Sequence, residues 1–182
     1  CLNMAAAAWI AGVCADGRLL FGSRSVKREN ALMALALAVI IILLSWETLD
    51  DWYRWDSYYY MTQIENANKA NFTLSLLQEL NLVNHLSSVY SILVLTVSRI
   101  AGSIPLGARL TNWFLAWWAG LCFYRILRKA LPDKRAGYAV MCTLAFTCSP
   151  WLLGLIGEVS LDYAGFCALT ALFWYLYDGQ TI

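Results

Sequence analysis

The chain has 182 residues, 60% of them hydrophobic, with a mean hydropathy of +0.56. Apolar residues fall in blocks rather than at a short period, which excludes an ordinary soluble domain and points to an all-α polytopic membrane protein. The net charge of +1 says little as a total; its distribution matters more, and no nucleic-acid partner is expected.

Residues 1–14 are apolar and alanine-rich, without a preceding basic segment or a distinct cleavage site, so a signal peptide is a weak reading. A first residue of Cys1 rather than Met, and a last apolar run ending near the C-terminus, read as a piece of a longer protein. Five of the six cysteines lie in or beside apolar runs and Cys14 lies near a basic loop. No pair has metal-ligand spacing, so they read as small buried hydrophobes. Arg18, Arg24, Lys27 and Arg28 follow, and basic residues this close to a helix mark the cytoplasmic side.

The first predicted span is 31–46, free of Pro and Gly and running outward. It opens into Trp46–Tyr60, WETLDDWYRWDSYYY, where Glu47, Asp50, Asp51 and Asp56 sit among seven aromatic rings. Carboxylates are costly in hydrocarbon, and Trp and Tyr prefer the membrane–water boundary, so this stretch reads as an acidic aromatic collar at the outer surface. A large first outer loop, 47–109, continues from it. Leu74, Leu77 and Leu80 have the spacing of an amphipathic helix. Asn71-Phe72-Thr73 matches a glycosylation sequon, a pattern that occurs widely without being used.

The apolar stretch 87–102 could cross or lie in the interface. If it crosses, the cluster Arg125, Arg128, Lys129, Lys134, Arg135 falls outside; if it is interfacial, that cluster is cytoplasmic, as the positive-inside rule asks. The interfacial reading is adopted. Further spans are expected at 110–127, 136–156 (interrupted by Ser149-Pro150) and 163–177, with 178–182 as a tail. Four spans with interfacial helices result. Nine of thirteen basic residues then lie inside and eight of twelve acids outside.

Acids from two outer loops suit three roles: general base, ligand of a divalent cation at a phosphate, or solvation alone. The segment WDSYYYMTQI resembles the first-loop motif of the GT-C class of membrane glycosyltransferases, which includes the protein O-mannosyltransferases and the lipid A aminoarabinose transferases. Asp56 falls on that motif's first acid and Tyr60 on its aromatic, while Ser57 replaces the second acid. His85, Arg109-Leu110-Thr111, the basic turn RKALPDKR, Ser149-Pro150 and GEVSLDYAGF follow in the family's order, with serines where its prolines after the basic residue stand.

The resemblance implies transfer of a sugar from a polyprenyl-phosphate donor to an acceptor at the outer face of a bacterial cell membrane. It casts Asp56 as the base, Arg109 and His85 as phosphate ligands, and Asp162 as an acceptor-orienting or cation-holding group; Tyr60 joins the substrate site. Against this stand bland roles, such as a helix cap for Asp162 or a helix-end position for His85, and other functions. One is a transporter or channel subunit with an acidic entrance; another is a scaffold without chemistry.

Overall fold

The computed structural model describes residues 24–46, 61–62, 64–66, 88–131, 136–157 and 161–179, and among these there are helices and no strand. The helices are α1 (Arg24–Ser45), α2 (Ser88–Ala101), α3 (Ile104–Ala130), α4 (Ala136–Thr147), α5 (Pro150–Ile156) and α6 (Leu161–Gly179). The all-helical class expected from the sequence is what the described residues adopt.

The long central helix α3 organises the rest. Ser103 caps its start, its hydroxyl accepting from the Leu106 amide, and Pro105 sits in the first turn, where a missing N–H costs nothing. Small buried residues, Ala116, Ala119 and Gly120, let neighbours approach its middle closely. On α1, Met33, Leu37 and Ile41 repeat every four residues and form the buried stripe, whereas Leu32, Leu35, Val39 and Leu43 remain exposed.

Register follows from specific pairs. The Trp117 indole donates to the Ala34 carbonyl at 2.9 Å, Leu37 lies against Gly120, and Glu29 pairs with Arg128 at 3.2 Å. From Glu29 at Arg128, through Leu37 at Gly120, to Ile41 and Ile42 beside Trp113 and Phe114, rising numbers on α1 meet falling numbers on α3, so the two are antiparallel. Helix α4 is also antiparallel: Phe146 stacks on Phe123 with centroids 4.4 Å apart, and Thr147 faces Gly120. Helix α6 is parallel to α3, since Tyr163 meets Asn112 and Tyr177 meets Lys129 at offsets of 51 and 48 residues. The four directions alternate along the chain.

Helix α2 forms a hairpin with α3. Gly102 makes the turn at φ 71°, a left-handed value that glycine adopts without strain. Gly107 then packs directly on the Ser98 backbone, with no room for a Cβ. The apolar segment expected in the interface is therefore a helix running back along the first half of α3, from Tyr90 beside Asn112 to Ser98 beside Ile104.

Two expected boundaries change. The helix expected from 110 begins at Ile104, which puts Arg109 in its second turn rather than ahead of it. The run 136–156 is two helices bent by 52°, because Ser149 leaves helical geometry to cap α5 and Pro150 follows at its start. Among the described residues, 28–45 form one helix long and apolar enough to cross a membrane, and the bent α4–α5 pair makes a second if it counts as one span.

Five hydroxyls inside these apolar helices are satisfied locally. Ser45, Ser98, Thr111, Thr143 and Thr170 each donate to the carbonyl four residues earlier, at 2.5–3.0 Å. This removes the cost of burying an unpaired donor without needing a partner helix.

Candidate functional site

At the end of the bundle where α3 begins, Arg109 and Asn112 lie three residues apart and share a helix face. Both are buried, Arg109 at 7% exposure and Asn112 at 1%. Among the described residues Arg109 is the only buried charged side chain. On the opposite stripe Leu106, Leu110 and Phe114 are exposed, so the polar groups point inward and the apolar ones outward.

Asn112 ties together four elements. Its Oδ1 accepts from the Tyr90 hydroxyl of α2 at 2.8 Å, and its Nδ2 donates to the Ile156 carbonyl at 2.9 Å. That carbonyl closes the short helix α5 and has no intrahelical donor of its own. The Tyr163 hydroxyl of α6 donates to the Asn112 carbonyl at 2.9 Å. Burial holds the Tyr90 phenol above its ordinary pKa, partly opposed by its hydrogen bond to Asn112, so it stays a protonated donor.

The same end of the bundle receives the end of α1, because the α1–α3 register brings Ser45 level with Asn112. It also receives Asp162, exposed in the first turn of α6, one residue before Tyr163. A carboxylate there is favoured by the unpaired N–H groups of the helix start, but Asp162 follows Leu161 inside the first turn and so is not the N-cap expected of it. Arg109 and Asp162 thus come to one end of the structure.

Asp56, Tyr60 and His85 lie outside the described residues, as do Asp50 and Asp51. So does most of the acid set considered for a divalent cation; among the described residues no three His, Cys, Asp or Glu side chains converge. The hub residues Asn112, Tyr90 and Tyr163 were not singled out from sequence. An amide in an apolar helix is a usable signal, since burying it requires partners for up to four hydrogen bonds.

No family model, no characterised protein and no solved structure matches this chain.

Proposed function

We propose that this chain carries the donor-binding end of a membrane-embedded glycosyltransferase that takes a sugar from a polyprenyl-phosphate carrier and passes it to an acceptor at the outer membrane face. The observation that carries the reading is Arg109. Its guanidinium is buried at the end of the bundle where the acidic collar leaves α1 and where Asp162 opens α6. A buried guanidinium is well suited to a phosphate, because its planar fork makes two parallel hydrogen bonds and stays charged at any physiological pH.

On this reading α1, α3, the α4–α5 pair and α6 are the four spans. Their alternating directions support it, as does the length of α3. It rises about 24 Å from Asn112 to Arg128, and Leu110–Tyr124 carries no charge. That apolar layer is thinner than a typical hydrocarbon core of about 30 Å, a gap that local thinning of the bilayer and snorkelling of the flanking Arg125 and Arg128 accommodate. Helix α2, level with the outer half of α3, does not reach the other end. On this reading the positive-inside rule puts the basic turn 125–135 at the cytoplasm and the acidic collar outside.

Asp56 acts as the base that takes the proton from the acceptor hydroxyl as the glycosidic bond forms; the donor's phosphate leaves with its electron pair, steadied by Arg109 and His85. Tyr60 borders the same site. A divalent cation can be held by the collar acids to neutralise that leaving group.

The test is binding of a short-chain polyprenyl phosphate to the chain in lipid nanodiscs. Arg109→Ala should weaken binding at least tenfold, with Arg109→Lys intermediate; equal affinity in all three forms sinks the phosphate role. In the full protein Asp56→Asn should abolish transfer with insertion intact, and retained transfer removes Asp56 from the mechanism.

A further inference from the structure

The opposite end of the bundle is basic, and its cations are held in a fixed array. Arg125, Arg128 and Lys129 occupy the last turns of α3 at i, i+3, i+4 spacing, one stripe of the helix. Arg125 lies over the Trp174 ring with its Cζ 4.6 Å from the centroid. Lys129 lies 5.0 Å from the Tyr177 ring centre and donates to the Tyr177 carbonyl at 3.0 Å, capping the end of α6. Arg128 pairs with Glu29 of α1. Three helices are thereby tied together by charges at one level.

We propose that this end binds the anionic headgroups of membrane phospholipids. The proposal rests on the membrane reading above, though not on glycosyl transfer. Charge complementarity is the first argument: the segments 24–29, 125–135 and 178 hold eight cations against three acids, a strong excess within a chain of net charge +1. Basic residues next to a spanning helix attract anionic lipid at a worth of roughly a fivefold change in partition for each cation near the surface.

Exposed apolar surface beside the cations favours a lipid over a soluble polyanion. On the adjoining turns of α6, Leu169, Leu172, Phe173 and Leu176 are exposed, Leu169 and Phe173 by 55% and 66%. An amphiphile uses both surfaces at once, its headgroup on the cations and its chains along the leucines. An acidic peptide or nucleotide uses only the first. Tyr177, 38% exposed beside Lys129, stands at the edge of that face, where amphipathic rings settle, while Trp174 is buried against Arg125. Stacking on these rings also holds Arg125 and Lys129 in place, so less side-chain freedom is lost when a headgroup arrives.

The experiment uses the 182-residue chain with vesicles of phosphatidylcholine alone or with one part in five phosphatidylglycerol. Flotation first establishes association. Quenching of tryptophan fluorescence by brominated phosphatidylglycerol or brominated phosphatidylcholine then gives the relative preference. The expected result is at least a fivefold preference for the anionic lipid that collapses toward unity in 1 M salt. Arg125→Gln with Lys129→Gln should abolish most of that preference, while Arg125→Lys keeps most of it. A purely structural role would lower stability equally in both lipids and leave the preference unchanged. Should the double variant fail to fold, the salt dependence of the unaltered chain still decides. Equal quenching by both lipids at low salt overturns the proposal and leaves the membrane reading standing; failure to float with either vesicle overturns both.

Discussion

The Nδ2 of Asn112 donates to the carbonyl of Ile156, 44 residues further along the chain, at 2.9 Å. One amide thus holds the end of a broken helix against α3, while its Oδ1 takes the Tyr90 hydroxyl and fixes the α2 hairpin at the same level. Replacing Asn112 by Leu leaves the Tyr90 hydroxyl and the Ile156 carbonyl without these partners. Each orphaned group costs about 1–3 kcal/mol, so a loss of about 2–6 kcal/mol is expected. Tyr90→Phe orphans one group, the Asn112 Oδ1, and should cost about 1–3 kcal/mol, less than Asn112→Leu. Chemical unfolding of both variants in the same detergent checks the order; a Tyr90→Phe cost equal to that of Asn112→Leu would remove Asn112 from its central position.

Gly107 and Gly120 face different degrees of crowding. A Cβ at Gly107 would fall inside the Ser98 backbone, so Gly107→Ala must part α2 from α3. Overpacking of this kind costs about 1–3 kcal/mol or more. At Gly120 the added carbon would meet the flexible ends of Leu37 and the Thr147 hydroxyl at 3.1–3.2 Å, which can shift slightly. Gly120→Ala should therefore cost less. Gly137→Ala meets nothing within 4 Å and should be neutral or slightly stabilising, as it sits in a helix. Thermal unfolding of the three variants gives the ranking 107, 120, 137; a neutral Gly107→Ala would mean the hairpin is not this tight.

The proposed arrangement across a membrane makes a separate prediction. Single cysteines placed at Ser57 and Gly137, with the native cysteines replaced, should label from opposite sides in intact cells. Ser57 should react with an impermeant maleimide from outside and Gly137 only after permeabilisation. Labelling of both from outside would mean that the chain crosses once more between them, and Asp56 and Asp162 could not then share a site.

The sequence by itself determined the local chemistry. Proline-free apolar runs, of Leu, Ile, Val and Ala in α1 and of Leu, Ala and aromatic residues in α6, favour helix, and Ser149-Pro150 breaks 136–156 because proline lacks the N–H and clashes with the preceding turn. Charge bias is likewise a property of composition along the chain. Tertiary structure decided what lies beside what. That Asn112 joins α2, α5 and α6 depends on contacts between residues 22 to 51 positions apart, and Arg109 is buried only where the helices pack around the start of α3. Periodicity reports only which face of a helix is apolar, and it assigns no partner to a polar side chain. The cost of burying an unpaired amide does assign one, and that cost is incurred only once the helices have met.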